Sequence, residues 1–297
     1  MKIFLSGGAG FVGGHVRQAL LEKGHEIRLL IHKKGGSFGA GVEPVEGDIT
    51  ISATFAGALR GCDAAINLVG IIREFPRRMQ TFEKLHTEAT RNLIDAAKAA
   101  GVKRYIQMSA LGAVPNATSR YHQSKFRAEE VVRASGLDWT IFRPSIIFGP
   151  EDAFANKLAG MIRNFPVVPV IGDGAYRLQP VSVNDVARCF AMALEMPETF
   201  GKTFEVGGPD RLTYNDLLDT IGRVLGKPCV VKVSNPLAIM KVIVPVFQGF
   251  SFFPLTMDQL LMLVEENICD DRWQETFQFE PERFAGGIAR YLRPHGC

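Results

Sequence analysis

The chain has 297 residues, of which 46% are hydrophobic and 22% charged. That is an ordinary balance for a soluble globular protein, with length for one large α/β domain or for such a domain plus a smaller lobe. A formal net charge of +3 without any long Lys/Arg run excludes nucleic acid as an expected partner. The five cysteines (Cys62, Cys189, Cys229, Cys269, Cys297) form no Cys-x-x-Cys pair and read as reduced cytosolic thiols, and the six histidines lack metal-ligand spacing, so no metal is expected.

In chain order, Ile3 to Ser6 reads as a short apolar strand that runs straight into glycines. No secretory leader precedes it, so a cytoplasmic location is expected. Phe11 to Lys23 has helical periodicity and stops at Gly24. Glu26 to Ile31 and Val42 to Val45 read as strands, and Ile51 to Leu59 as a short helix. Asp63 to Val69 is almost uniformly apolar and reads as a fourth strand. Phe82 to Ala100 is a strong helical pattern closed by Gly101. Lys103 to Ser109, Ser119 to Ala134 and Trp139 to Arg143 then give strand, helix and strand.

Apolar strands separated by helices predict a parallel sheet covered on both faces and doubly wound. After Pro144 the pattern is mixed, with helices at Val183 to Glu195 and Tyr214 to Leu225 among short strands. The expected division is a sheet domain over 1–150 and a smaller substrate-side lobe over 151–297 that interleaves with the last sheet elements. Within the lobe, Leu237 to Leu255 is mostly apolar, with one charge at Lys241 and interruptions at Pro245, Gly249 and Pro254. A spanning helix needs about twenty apolar residues and tolerates prolines only with neighbours' help. This stretch therefore reads as a lobe that is buried, or that docks on a membrane surface or a partner.

The segment from Gly7 to Gly13 carries Gly7-x-x-Gly10-x-x-Gly13 between the first strand and the first helix. This spacing supplies a tight turn, close backbone approach to a pyrophosphate and close helix–strand packing, and the helix N-terminus, through Phe11 and Val12, aims free N–H groups at the phosphates. The sheet is thus expected to be a Rossmann sheet that binds a dinucleotide. An acid at the end of the second strand would favour NAD. Here the strand ends Ile31-His32-Lys33-Lys34. Cationic groups suit a 2′-phosphate, so NADP(H) is favoured over NAD(H). Asp48, after the third strand, is placed to accept from the adenine amino group, or else to cap a helix.

These residues resemble a known family. Gly7-x-x-Gly10-x-x-Gly13, Gly47-Asp48-Ile49, Asn67-Leu68-Val69-Gly70, Tyr121-His122-Gln123-Ser124-Lys125 and Arg143-Pro144-Ser145 look like the extended short-chain dehydrogenase/reductases. Val181 to Ala187 and Phe204 to Pro209 continue the match. The missing acid and the short stretch before Tyr121 resemble the atypical branch. Pro254 to Leu260 and Glu265-Glu266-Asn267 are similar to the nucleotide-binding accessory subunit of respiratory complex I and its bacterial relatives.

The resemblance implies that Tyr121 is a general acid/base and that Lys125 binds the nicotinamide ribose. A nearby ammonium is expected to lower the phenol's pKa from about 10, and spacing of four puts both side chains on one helix face. It further implies that Ser109 donates to the substrate oxygen, although Ala110 stands where relatives often carry a second hydroxyl. Ile49, Leu68, Val69, Gly70 and Pro144 are implied to line the cofactor, and His86, where relatives often carry Asn, either touches it or is a packed or exposed helix histidine. Asn92 is expected to be structural.

Three functions fit these expectations. One is an NADP(H)-dependent oxidoreductase acting on a carbonyl/alcohol pair, lipophilic if the apolar stretch contributes, with substrate between the sheet's C-terminal edge and the lobe. The second is a non-catalytic NADPH-holding structural or assembly protein. The third is a nucleotide-sugar epimerase or dehydratase, which would hold NAD.

Overall fold

The computed structural model describes residues 1–32, 35, 38–248 and 255–293. Lys33, Lys34, Gly249, Pro254 and Cys297, singled out above, lie outside the described residues. The chain divides into two compact units. The first comprises 1–144, 184–206 and 271–279, and the second 145–183, 207–270 and 280–297.

The first unit is built on seven strands: β1 (Lys2–Ser6), β2 (Glu26–Ile31), β3 (Val42–Glu46), β4 (Ala64–Asn67), β5 (Arg104–Met108), β6 (Asp138–Pro144) and β7 (Lys202–Val206). All pair in parallel, in the order β7-β6-β5-β4-β1-β2-β3. Ile3, Phe4 and Leu5 of β1 are fully buried, as a central strand covered on both faces requires. β3 is an edge strand, so Pro44 sits in it without costing a needed ladder hydrogen bond. The order reverses between β1 and β4, the switch point where Rossmann sheets place a dinucleotide.

Helices α1 (Phe11–Glu22), α2 (Ala89–Ala99), α3 (Arg120–Arg133) and α4 (Val183–Ala193) belong to this unit apart from Val183, which clusters with the second. α1 turns Gly13, Val16 and Leu20 inward. α2 buries Leu93 and Ile94 against Phe4, Phe55 and Ile141.

Two predicted helices differ in detail. Ile51 to Leu59 forms two short 3-10 turns, Ser52–Thr54 and Ala56–Leu59. The Thr54 hydroxyl donates to the carbonyls of Ile51 (2.7 Å) and Asp48 (3.1 Å), diverting the backbone from a regular helix. The front of the Phe82 helix, Glu83–Glu88, is a π-helix that runs into α2.

In the second unit, helices Ala155–Asn164, Tyr214–Val224 and Phe284–Leu292 enclose a core that includes Phe148, Leu158, Leu217, Ile221 and Ile288. Among the described residues, three short two-stranded ladders accompany them. Leu237–Phe247 is an eleven-residue helix that buries Val244 alone and leaves Val242 (71%) and Val246 (64%) exposed. Among the described residues no helix is long and apolar enough to cross a membrane.

Candidate functional site

The glycine loop closes because Gly7 and Gly13 lie against backbone with no room for a side chain. Gly7 has φ +76°, and a Cβ there would lie 2.8 Å from the Leu68 carbonyl carbon and 2.9 Å from the Val69 nitrogen. At Gly13 it would lie 2.1 Å from the Gly7 oxygen. These contacts bring the start of α1 against β1 and press the loop onto the turn that follows β4. Gly10 is different: its Cβ would meet nothing closer than the Gly7 oxygen at 3.5 Å. As the N-cap of α1 it offers no side-chain acceptor, so the first-turn N–H groups of Phe11, Val12 and Gly13 are not capped by it. That is the electropositive cradle a pyrophosphate needs.

Beneath the loop lies a buried polar network. Asn67, fully buried at the end of β4, accepts through Oδ1 from the Ser6 hydroxyl (2.9 Å) and the Val69 N–H (3.1 Å). Its Nδ2 donates to Thr90 Oγ1 and Gln107 Oε1, each at 3.2 Å, and the Tyr105 hydroxyl donates to the same Gln107 oxygen at 2.8 Å. Strands β1, β4 and β5 and helix α2 are thereby tied at the switch point, and the turn Leu68-Val69-Gly70 is held in place.

At the adenosine end, the exposed His32 ring lies 3.9 Å from Asp48 Oδ2. Asp48 Oδ1 accepts from the N–H (2.8 Å) and hydroxyl (2.8 Å) of Thr50, so this carboxylate holds its own turn. Ile49 is buried in the core of the first unit, and its carbonyl accepts from Asn92 Nδ2 at 3.2 Å, which gives Asn92 the structural role expected of it. The Pro144 carbonyl, at the end of β6, accepts from the Leu111 N–H at 2.9 Å.

Tyr121 sits at the start of α3, whose N-cap Ser119 accepts from the His122 N–H. Lys125 follows one turn later and is buried, 2% exposed; its Nζ donates to the Met108 carbonyl at 3.2 Å. A Cβ on Gly70 would lie 3.0 Å from that Nζ and 3.5 Å from His86 Nε2, so Lys125 and His86 both pack beneath the turn that abuts the glycine loop. His86 Nε2 accepts from the Ile71 N–H (3.1 Å), which leaves the proton on Nδ1. Nδ1 then donates to Ser124 Oγ (2.8 Å), and that hydroxyl donates to the Tyr121 carbonyl (2.7 Å). Burial, then the neighbouring Lys125 charge, pushes His86 down to about 2, so it stays neutral. Its ring meets Tyr121 edge-on at 5.4 Å and stacks on Phe82. His86 thus braces the tyrosine.

The phenol of Tyr121 departs from expectation: burial pushes it up to about 12. Desolvation of the phenolate sets the direction, and the Lys125 ammonium donates to the Met108 carbonyl. The Tyr121 phenol therefore keeps its proton at pH 7. Ser109 Oγ is buried and has no hydrogen-bond partner among the described residues, as befits a hydroxyl waiting for a ligand atom.

Burial lowers Lys125 to about 8, opposed by the charge of Glu129. Between pH 8 and about 10 the unfolded lysine holds a proton that the folded one has lost, so folding stability contributed by this group rises with pH. In urea unfolding at pH 7.5 and 9.5, the wild type should gain stability relative to Lys125→Met. Parallel pH dependences of the two proteins would refute this.

Sequence reading missed the buried carboxylate of Glu129. It is fully buried and receives Arg143 through Nε (2.8 Å) and NH2 (2.7 Å) and Arg133 through NH2 (2.6 Å). The available signal was its position four residues after Lys125, on the same helix face.

A parallel sheet with a glycine cradle at its switch point, and a tyrosine and lysine one turn apart beside it, defines a dinucleotide-binding Rossmann protein. The family model described as NAD(P)H-binding matches residues 7–197, and the chain belongs to that family, as an extended short-chain dehydrogenase/reductase-like relative of the complex I accessory subunit. It is 32% identical over 244 residues to the mitochondrial NADH dehydrogenase [ubiquinone] 1 alpha subcomplex subunit 9 of Arabidopsis thaliana, covering 78% of this chain and 60% of that protein. The chain thus spans less than two thirds of that relative's length. It is 27% identical to the ceramide reductase of Caulobacter vibrioides, over 79% of this chain and 74% of that one. The crystal structure of gox2253 superposes with a TM-score of 0.78 at 26% identity, covering 98% of this chain and 96% of the other.

Proposed function

We propose that the chain is an NADP(H)-dependent reductase of a lipophilic carbonyl/alcohol pair. The observation that carries this reading is the placement of Tyr121, braced edge-on by His86 and one turn from Lys125, on a helix packed beneath the Gly70 turn. NADPH, when bound along Gly7–Gly13, supplies the hydride. Tyr121 holds the proton that the reduced oxygen needs, Ser109 offers it a second hydrogen bond, and Lys125 binds the ribose hydroxyls. The absence of an acid after Ile31 supports NADP(H) over NAD(H). Likeness to a ceramide reductase supports a lipophilic substrate. The scattered cysteines, of which Cys62, Cys189, Cys229 and Cys269 are free thiols, support a cytoplasmic location.

A second reading, a non-catalytic NADPH holder in a membrane-associated assembly, is favoured by one observation. Ile239, Val242 and Val246 of the helix Leu237–Phe247 are exposed, as a face that docks on an apolar partner would be. The name of the Arabidopsis thaliana relative supports the same reading.

The test titrates NADPH and NADH by fluorescence, then assays long-chain carbonyl reduction with wild type and Tyr121→Phe. Tight NADPH binding that collapses when His32, Lys33 and Lys34 become Ala together, with turnover falling about 100-fold or more in Tyr121→Phe, is the expected result. NADPH binding without turnover in the wild type moves the second reading forward. NADH binding as tight as NADPH, indifferent to the triple change, overturns the NADP(H) assignment and leaves the nucleotide-sugar epimerase or dehydratase.

A further inference from the structure

We infer that Arg17, braced by Phe38, is a further specificity-determining residue, binding the 2′-phosphate at the adenosine end of the cofactor; this rests on the NADP(H) reading above. Arg17 lies on α1, one turn beyond Gly13. Its NH1 donates to the Gly8 carbonyl at 2.7 Å, which turns the guanidinium back along the helix toward the glycine loop. Its Cζ stands 5.2 Å from the centre of the Phe38 ring. Phe38 follows β2, in the same connection as His32. The guanidinium therefore bridges the loop after β1 and the loop after β2, the two segments that flank the adenosine ribose in a Rossmann sheet.

Three properties fit this group to a phosphate. A guanidinium has five N–H donors, and among the described residues only the bond to Gly8 engages it, leaving the Nε and NH2 edges open. It is permanently charged, and its planar fork matches phosphate oxygens in pairs. It is half-buried and stacked on an aromatic face, so little side-chain entropy remains to be lost on binding. His32 is a weaker candidate for the main contact. It is 73% exposed and faces the Asp48 carboxylate, whose charge opposes an approaching phosphate.

Isothermal titration of the full chain with 2′,5′-ADP and with 5′-AMP tests the assignment. The wild type should prefer 2′,5′-ADP. Arg17→Met should weaken 2′,5′-ADP by about tenfold or more while 5′-AMP changes by less than about twofold, because only the phosphate loses its charged hydrogen bonds. Phe38→Leu should lose less, on the same ligand. Equal losses on both nucleotides would mean that Arg17 serves the glycine loop through Gly8 and would overturn the inference, as would an unchanged 2′,5′-ADP affinity. A wild type that takes both nucleotides equally overturns the NADP(H) reading itself, and the inference with it.

Discussion

Gly13→Ala is expected to abolish dinucleotide binding and to lower stability by about 3 kcal/mol, the upper end of what overpacking costs. The added methyl would sit 2.1 Å from the Gly7 oxygen and 2.5 Å from the Gly8 Cα. Both are backbone atoms, so no rotamer change relieves the clash. Either α1 moves away from β1 or the loop opens, and in both cases the first-turn N–H groups no longer converge. Gly10→Ala is the informative contrast. Its methyl meets nothing closer than 3.5 Å, so the fold should survive within about 1 kcal/mol, the usual cost of alanine at an N-cap. The methyl would project from the cap that faces the pyrophosphate, so binding should still fall. Urea unfolding separates the two, and NADPH fluorescence titration should show both impaired. Wild-type stability in Gly13→Ala would mean that the close approach of α1 to the Gly7 carbonyl is absent from the protein.

Glu129→Ala should cost about 3–5 kcal/mol, the penalty for breaking a buried ion pair from one side. The carboxylate is fully buried and bridges Arg133, on its own helix, to Arg143 on β6. Arg143 also reaches Glu205 on β7 at 3.2 Å, so the pair joins α3 to two neighbouring strands. Removing the acid leaves the Arg143 charge with that half-exposed partner alone. Glu129→Gln keeps the shape but not the charge and should fall between. The combination of Glu129→Gln with Arg143→Met should be less destabilised than the sum of the single changes, since neither charge is then stranded. Additive losses would show that the pair acts only through space-filling.

Much of this was legible because parallel sheets write themselves plainly. Buried runs such as Ala64 to Asn67 have no polar face to confuse with a helix, and the glycine spacing marks where the first one stops. The tyrosine–lysine pair was legible from its spacing, because four residues close one turn. The protonation of Tyr121 was not, since it depends on how deeply the ring is buried against Phe82 and His86, which belong to another segment. Nor was the π-helix at Glu83–Glu88, whose wider turn leaves no mark in apolar periodicity. Arg17 drew no notice in the sequence, because its contact with Phe38 crosses from α1 to the connection after β2. Lys33 and Lys34, central to the NADP(H) expectation, lie outside the described residues, so that expectation rests on the sequence after Ile31.

The sheet is not finished by consecutive chain. β6 ends at Pro144, but its neighbour β7 begins at Lys202, and Phe277, which meets Phe142 at 5.7 Å and Phe204 at 5.2 Å, is later still. During synthesis the first 144 residues emerge with an unpaired strand edge and uncovered aromatic rings, and wait for more than 130 further residues before Phe277 closes them. At about 5–20 residues per second that interval is several seconds or longer, time enough for an open β edge to find a wrong partner. The glycine loop itself lies within the first thirteen residues, but the residues that hold the turn beside it, Thr90, Gln107 and Lys125, follow later in the chain.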